Sequence, residues 1–179
     1  MKYIKYLLNV AFGLYVRLVY RSSFASFKNE LCMSTRLYDC EIGNYNYFGP
    51  GVVINRTTIG NYCSIGPNVV VGGMEHNYSN FSTSTKLFRH EKFKDTVIED
   101  DVWIGASAVV RTGLTIGKGS IIGSNAVVLK DVPPMSIVVG NPGVIKKRRF
   151  TDLLKEKQYM DIDFSESPVN IHVRLRNKS

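Results

Sequence analysis

The stretch from Ile98 to Val128, IEDDVWIGASAVVRTGLTIGKGSIIGSNAVV, carries an aliphatic residue at every sixth position. These positions are Ile98, Ile104, Val110, Ile116, Ile122 and Val128. A period of six fits neither the 3.6-residue period of a helix nor the simple alternation of a hairpin strand. It is typical of hexapeptide repeats, in which each repeat is one short strand with a turn and three repeats make a triangular coil. Such coils bury a continuous core only when they stack on one another.

The same period is present upstream of this stretch. The aliphatic positions there are Val53, Ile59, Ile65 and Val71, and glycine follows the last three. Ile42-Gly43 and Phe48-Gly49 extend the pattern further, with one register slip between Phe48 and Val53. Small residues suit the tight corners of the coil, where the backbone angles favour glycine. Beyond Val128 the period ends, and we expect Pro133-Pro134 to end the stack.

Residues 73–96 interrupt the repeat with a polar and aromatic segment that contains His76 and His90. A long irregular excursion from a regular scaffold is where functional side chains usually lie. We therefore expect a protruding loop over residues 73–96 and place the candidate site there.

Composition narrows the functional classes. The chain has 179 residues, of which 44% are hydrophobic and 21% charged, as expected for one folded domain. Its net charge of +8 fits either a solvated basic surface or an anionic ligand, such as a nucleotide, an anionic lipid or an acidic glycan. No zinc-finger, helix-turn-helix or RNA-binding pattern is present, so nucleic acid is not an expected partner. Three cysteines without a CxxC pair exclude a disulfide framework and indicate a reducing, cytoplasmic compartment.

The two ends of the chain differ from the repeats. Residues 1–30 form an amphipathic segment, in which basic and small residues of 1–21 share one side of a helix and apolar residues occupy the rest. Such a helix fits peripheral contact with a membrane surface, and equally packing on protein. The β-helix domain is expected over 31–145, followed by a basic C-terminal helix and tail over 146–179. Within that tail, we expect a short helix from Thr151, its N-cap, to Met160, and a loosely held segment from Asp161 onward.

Six motifs in fixed order resemble those of the hexapeptide-repeat acyltransferases, in the xenobiotic acetyltransferase branch that also contains many polysaccharide O-acetyltransferases. The motifs are Ile59-Gly-Asn-Tyr-Cys-Ser-Ile-Gly66, Gly72-Gly-Met-Glu-His76, Asp101-Val-Trp-Ile-Gly105, Ile122-Gly-Ser-Asn-Ala-Val-Val128, Lys130-Asp-Val-Pro-Pro134 and Val139-Gly-Asn-Pro142. The resemblance implies an all-β fold, a left-handed parallel β-helix with hexapeptide repeats. It also implies acetyl-CoA as co-substrate, no metal, and a homotrimer whose sites lie between subunits.

The resemblance also implies roles for individual residues. His76 matches the family's catalytic histidine at the start of the loop, and Asn55, Asn77 and Tyr78 are candidate acceptor contacts. The candidate donor contacts are Trp103, Gly105, Ala106, Ser124, Leu129, Lys130 and Lys146. Lys146 follows Gly143-Val144-Ile145, which is one residue shorter than the common family pattern.

The chemistry expected of this site is direct acetyl transfer from a thioester to a hydroxyl. A neutral histidine, with an unperturbed pKa of about 6.5, can remove the hydroxyl proton at neutral pH without an acyl-enzyme. The basic run 146–149 would in part meet the phosphates of CoA. A sugar or glycan hydroxyl is the expected acceptor.

Other functions stay open at this point. The acceptor could be an antibiotic of the streptogramin or chloramphenicol type, or an amino-sugar nucleotide that is N-acetylated. A non-enzymatic alternative is a trimeric CoA-binding scaffold. A zinc enzyme on this fold needs three convergent histidines, and the third histidine here, His172, lies outside the repeats.

Overall fold

The computed structural model describes residues 7, 10, 11, 14, 15, 22–24, 28–73, 75, 76, 78–88 and 94–176. Seventeen strands in these ranges form three sheets, which each turn of the chain visits in the same order. Sheet A contains β1 (Ser23–Phe24), β4 (Glu41–Ile42), β7 (Thr57–Ile59), β10 (Thr96–Ile98) and β13 (Thr115–Ile116). Sheet B contains β2 (Glu30–Leu31), β5 (Tyr47–Phe48), β8 (Ser64–Ile65), β11 (Trp103–Ile104), β14 (Ile121–Ile122), β16 (Ser136–Val139) and β17 (Val144–Arg148). Sheet C contains β3 (Arg36–Tyr38), β6 (Val53–Asn55), β9 (Val70–Val71), β12 (Val109–Val110) and β15 (Val127–Val128).

All pairings are parallel except the last, in which β17 runs antiparallel to β16. Strands β1 to β3 form coil 1, and each later set of three forms the next coil, up to an incomplete coil 6. The chain turns at three edges, which we name A–B, B–C and C–A after the sheets they join. The expected left-handed parallel β-helix of hexapeptide repeats is confirmed.

The core consists of aliphatic stacks, one inside each sheet. In sheet A, for example, Ile42, Ile59, Ile98 and Ile116 lie in register and are buried. The register expected at the upstream block is wrong at one position. Ile54, not Val53, is the buried residue of β6, and it pairs with Val71 of the next coil.

The register slip therefore lies one repeat later than expected, at the C–A edge. A single residue, Arg56, joins β6 to β7 there, with a positive φ of 44°. The one-residue corner shortens the spacing from Ile54 to Ile59 to five residues.

Glycine recurs at the B–C edge because the coils approach closely there. Gly49, Gly66 and Gly105 occupy equivalent positions in successive coils. A Cβ on Gly66 would lie 2.8 Å from the Ala106 nitrogen, closer than van der Waals contact permits. The small residue after the inward aliphatic is thus a requirement of stacking.

A polar ladder runs inside the A–B edge. Asn29, Asn46 and Cys63 are buried at equivalent positions of coils 1 to 3. The Asn46 N–H donates to Asn29 Oδ1 (2.8 Å), and Asn46 Oδ1 accepts from the Cys63 N–H (2.6 Å). Asn46 Nδ2 also donates to the Gly60 carbonyl at 2.9 Å. Each amide thus satisfies buried backbone groups of the neighbouring coil, which would otherwise be costly to bury.

The stack of coils begins earlier and ends later than expected. The first coil begins at Ser23, not at residue 31, because β1 already pairs with β4. Pro133-Pro134 does not end the stack, since Val132 pairs with Ile116 and β16 adds a further strand on β14.

The C-terminal region contains two helices, α1 (Leu153–Met160) and α2 (Pro168–Arg176). The N-cap of α1 is Asp152, not Thr151, because the Asp152 carboxylate accepts from the N–H groups of Leu154 and Lys155. Helix α2 occupies the region expected to be a loose tail. The Tyr62 hydroxyl donates to the Glu166 carbonyl (2.6 Å), which ties the connection between the helices to coil 3.

Most of the amphipathic N-terminal segment lies outside the described residues. Those described within 1–21 are Leu7, Val10, Ala11, Leu14 and Tyr15, all with helical backbone. Their spacing of three and four residues places them on one apolar stripe, most of which is exposed in the single chain. Across the described ranges, no helix is long and apolar enough to cross a membrane.

The polar ladder gives a stability prediction. Asn46→Ala should lower the free energy of unfolding by about 2–4 kcal/mol, because two buried backbone groups lose their partners. The measurement is urea unfolding followed by circular dichroism.

Asn46→Ser is the matched control. Ser120 occupies the equivalent position of coil 5, where its hydroxyl donates to the Pro133 carbonyl and accepts from the Ser136 N–H. Serine should therefore recover part of the loss. Equal losses in the two variants would contradict the role assigned to the ladder.

Candidate functional site

The irregular loop leaves the β-helix at the C–A edge, between β9 and β10. Gly72 makes this exit possible, with a φ of +67° and its Cα directly above Asn55 of coil 2. A Cβ at this position would lie 2.1 Å from the Asn55 carbonyl oxygen. Glycine is therefore required where the chain departs from the scaffold.

His76 lies four residues beyond this exit and its side chain is exposed in the single chain. Its Nδ1 is 2.6 Å from the Thr83 carbonyl oxygen. A carbonyl oxygen can only accept, so Nδ1 must carry the proton. In the neutral imidazole the lone pair is then on Nε2, which is the arrangement a proton acceptor needs. Sequence analysis did not find Thr83, because it acts through its backbone.

The candidate acceptor residues divide according to their position. Asn55 is half-buried on the outer face of sheet C, and its strand position is directly below Gly72. Tyr78 is 88% exposed in the loop. Asn77 and His90 lie outside the described residues.

Four candidate donor residues lie together on another part of the coil. Trp103 projects outward from sheet B and is 52% exposed, while its neighbour Ile104 points into the core. Gly105 and Ala106 follow at the B–C edge, and Ser124 is stacked on Gly105, so that a Cβ on this glycine would lie 2.8 Å from the serine hydroxyl oxygen. The Gly105 N–H is occupied, since it donates to the Ile122 carbonyl at 2.7 Å. The Gly105 amide therefore serves the coil, and not a reacting oxygen.

Leu129 and Lys130 are exposed at the C–A edge that follows β15. They line a cavity of about 420 Å³ at the end of the stack, bounded by the last core valines, by Pro142 and Gly143, and by the first two residues of β17. The walls are apolar, and Lys130 and Asp131 supply the charged groups. Lys146 is outside this cavity; it lies at a bulge of β17, between the paired residues Ile145 and Lys147.

Half of the basic run 146–149 is used within the fold. Arg148 forms an ion pair with Glu156 of α1. Arg149 Nη1 contacts the Asp101 carboxylate at 2.8 Å and the Gly119 carbonyl at 3.0 Å. The Tyr159 hydroxyl donates to the same carboxylate of Asp101. These two arginines therefore hold α1 and the segment before it against the coils, and the two lysines of the run are left as candidates to meet an anionic ligand.

The single chain does not bring His76 together with four of the donor candidates, although Leu129 and Lys130 lie at the same C–A edge as the loop. His76 and Asn55 belong to the C–A edge, whereas Trp103 belongs to sheet B, the face opposite that edge in a three-sided coil. Ala106 and Ser124 lie at the B–C edge, across the width of sheet C from the loop. In this topology, the loop and these four residues lie on different sides of one stack of coils.

Cys40 and Cys63 are structural. Burial raises the pKa of the Cys40 thiol to about 11 and that of the Cys63 thiol to about 12. Cys63 Sγ lies 3.1 Å from the Glu99 carbonyl oxygen, to which its S–H donates. Neither thiol is suited to act as a nucleophile.

His172 is exposed on α2, outside the repeats. The described part of the chain contains no group of three histidine, cysteine, aspartate or glutamate side chains that could hold a metal ion.

Comparison with known proteins gives three results. The family model for the bacterial transferase hexapeptide, six repeats, matches residues 39–73 and 95–130. A chloramphenicol acetyltransferase of Klebsiella aerogenes is 51% identical over 69 residues, which is 38% of this chain and 33% of that protein. A galactoside O-acetyltransferase of Lactococcus lactis is 29% identical over 125 residues, 70% of this chain and 49% of that protein. The matched segments thus span between a third and a half of these two relatives.

Among solved structures, this chain is similar to a hexapeptide-repeat containing acetyltransferase of Vibrio cholerae in complex with acetyl coenzyme A. The sequence identity is 26%, and the match covers 79% of this chain and 83% of that one, with a TM-score of 0.66.

Thiol reactivity follows from the burial of the cysteines. With an aromatic disulfide that reacts with free thiols, at pH 8, the folded protein should react rapidly at one thiol, that of Cys32, which is only partly buried. Cys63 should react far more slowly, because burial raises the pKa of its thiol and leaves no access for the reagent.

A spectrophotometric titration measures this directly, with Cys32→Ser as the matched control that should lose the rapid phase. Three rapidly reacting thiols in the parent protein would contradict the assignment.

Proposed function

We propose that this chain, which belongs to the bacterial hexapeptide-repeat transferases, is an acetyl-CoA-dependent O-acetyltransferase acting on a hydroxyl of a sugar or glycan. The observation that carries the proposal is the contact between His76 Nδ1 and the Thr83 carbonyl, since it leaves Nε2 as the proton acceptor. The solved relative from Vibrio cholerae, a complex with acetyl coenzyme A, supports the choice of donor.

In the proposed reaction His76 Nε2 removes the proton from the acceptor hydroxyl while its oxygen attacks the thioester carbonyl carbon. The carbon–sulfur bond then breaks, and the imidazolium returns the proton to the sulfur, which leaves as the thiol of CoA. The Thr83 carbonyl keeps the imidazole in one tautomer and orientation through both proton transfers. No acyl-enzyme is needed.

The donor would lie along the B–C edge, where close packing of the coils keeps the wall free of large side chains. Ala106 and Ser124 line this wall, and the Ala106 N–H is our candidate to stabilise the negatively charged oxygen of the intermediate. Trp103 would cover the reacting end. Lys130 and Lys146, which lie toward the end of the stack and away from the B–C edge, would meet phosphate groups. The 420 Å³ cavity with Leu129 would take an apolar part of the donor.

A homotrimer with three shared sites is the assembly we propose. A row of valines lies in register on the outer face of sheet C, and an apolar row of this kind is typical of a surface that is covered in an assembly. The row consists of Val53, Val70, Val109 and Val127. Covering it with a neighbouring copy would also place a second B–C edge near the loop that carries His76.

For the acceptor we propose a chemical class, a sugar or glycan hydroxyl, and no single compound. A sugar hydroxyl agrees with the similarity to a galactoside O-acetyltransferase over 70% of this chain. The alternative is an antibiotic hydroxyl, which agrees with the higher identity to a chloramphenicol acetyltransferase over a shorter segment. An amino-sugar nucleotide as N-acetylation acceptor and a CoA-binding scaffold without turnover are the remaining outcomes. Release of free CoA with methyl galactoside, chloramphenicol or an amino-sugar nucleotide as probe separates all four.

We propose a cytoplasmic location, with peripheral contact through residues 1–21 at the inner face of the membrane. The exposed stripe formed by Leu7, Leu14 and Tyr15 supports such contact. A glycan acceptor carried on a lipid would be presented at the same surface.

The role of His76 gives the central prediction. His76→Ala should lower kcat by roughly 10²–10⁴, with the affinity for CoA unchanged, because only the proton transfer is lost. The measurements are steady-state kinetics with the best acceptor of the panel and calorimetric titration with CoA.

The parent enzyme should also show a rising limb in the pH dependence of kcat/KM that the variant lacks. His90→Ala and His172→Ala are the controls, and both should keep most of the activity. A His76→Ala enzyme with near-parent kcat would overturn the assignment, and one that had lost CoA binding would show a structural role instead.

The shared site predicts complementation between two inactive variants. His76→Ala and Trp103→Ala should each be impaired as pure proteins. When the two are unfolded together and refolded in equal amounts, about a quarter of the sites should regain activity, because His76 of one copy then faces Trp103 of another.

Activity of the mixed sample, compared with that of each variant refolded alone, is the measurement. No recovery in mixed trimers would show that both residues act within one subunit.

A further inference from the structure

Both ends of the loop are tied to the C–A edge by an arginine, each from a different coil. At its beginning, Glu75 pairs with Arg111, which follows β12 in coil 4. At its end, Asp95 pairs with Arg56, which lies between coils 2 and 3. The chain that rises from coil 3 is therefore held by the coil above, and the chain that enters coil 4 is held by the coil below.

The pair at the beginning of the loop lies next to the proposed base. Glu75 immediately precedes His76, and its Oε1 is 3.5 Å from Arg111 Nε. Arg111 is fixed by the scaffold, since its N–H donates to the Val128 carbonyl of coil 5 at 3.1 Å. Gly73, by contrast, has no atom within 4 Å of where a Cβ would lie. On that side, the Gly73 backbone is therefore not packed against another part of the described structure.

We propose that Arg111 is a positioning residue for the acetyl transfer: it holds Glu75, and through Glu75 the backbone of His76, at the distance from the scaffold that the reaction requires. The inference rests on the proposed role of His76 as general base. Arg111 acts through another residue and touches neither the donor nor the acceptor.

The Arg111–Glu75 ion pair is weak, but it lies next to the proposed catalytic base. The side chains of Arg111 and Glu75 are 50% and 40% exposed, and exposed ion pairs contribute little to the stability of a whole fold. A reaction is far more sensitive, since small displacements of a catalytic group lower the rate steeply. Loss of the pair should therefore change the rate and leave the unfolding temperature in place.

Within the loop, the contact between His76 and Thr83 fixes how the ring is turned. It joins two parts of the loop to each other, whereas the position of the loop relative to the coils calls for a second constraint. Arg111 supplies that second constraint, because it is the scaffold partner of the residue next to His76.

The experiment compares two matched carboxylate-to-amide substitutions in the full-length protein. Glu75→Gln and Arg111→Gln break the pair beside His76, and Asp95→Asn breaks the 2.7 Å pair with Arg56 at the other end of the loop. We expect kcat to fall roughly fivefold in the first two variants, with an unchanged KM for acetyl-CoA, and to stay at the parent value in Asp95→Asn. All three should unfold at the temperature of the parent.

A charge exchange supplies the decisive readout. The double variant Glu75→Arg with Arg111→Glu restores an ion pair in the opposite sense, and should recover most of the kcat lost in Arg111→Glu alone. A residue that only filled space would give no such rescue.

Several results would overturn the inference. Unchanged kcat in Arg111→Gln would do so, as would a raised KM for acetyl-CoA at constant kcat, which would make Arg111 a donor contact. An equal loss in Asp95→Asn would show general loosening of the loop. His76→Ala, measured in the same assay, distinguishes failure of this inference from failure of the proposed function. If His76→Ala is inactive and the charge exchange gives no rescue, only the role of Arg111 is wrong. If His76→Ala is active, both the proposed base and the positioning role of Arg111 are wrong.

Discussion

The coils of this protein must lie directly on one another, at the spacing of hydrogen-bonded parallel strands, and the rest of the structure follows from that distance. Strands pair at about 4.8 Å, so each corner of a coil presses on the corner above it. At the B–C edge this leaves no room for a Cβ on Gly66. At the A–B edge it turns inward-facing amides into a continuous ladder, in which Asn46 serves the coils on both sides. Sequence choice at the corners is therefore dictated by the neighbouring coil.

The same constraint determines where function can be placed. A side chain inside the stack has no access to a ligand, and a side chain on a flat outer face stands alone, far from residues on the other faces. A reaction that needs several converging groups therefore requires residues on a loop outside the stack of coils, such as the loop that begins at Gly72, or residues on the face of a second copy of the chain. The proposed enzyme uses both: a base on the loop of one copy and a narrow, glycine-lined wall on another.

The loop is held by a small number of contacts, one within the loop and two to the coils. The tautomer of His76 is set by a backbone carbonyl within the loop, and the ends of the loop are held by ion pairs to coils on either side. Backbone and charge contacts of this kind tolerate sequence variation along the loop while they keep the imidazole in place. That combination suits a fold whose relatives carry names with different acceptors.

The sequence by itself determined the parallel β-helix, because a six-residue aliphatic period fits neither a helix nor a hairpin strand, and it identified most of the buried positions. It also located the loop, which follows from where the period breaks, whereas the choice of His76 over His90 within the loop came from the resemblance to the family. What only the tertiary structure decided depends on contacts between distant residues. That Ile54 and not Val53 faces the core is seen only from its pairing with Val71, because the sequence does not indicate which of two adjacent aliphatic residues is buried.

The sequence likewise did not show which residues of the basic run 146–149 form ion pairs within the fold. Arg149 and Tyr159 both contact Asp101, from which they are 48 and 58 positions away along the chain, so only folding reveals that the charge of Arg149 is already neutralised. The separation of His76 from Trp103 is of the same kind. Both residues belong to the family's motifs, but the order of motifs along a chain carries no information about which face of the coil each one occupies, and the three-sided geometry alone places them on opposite sides.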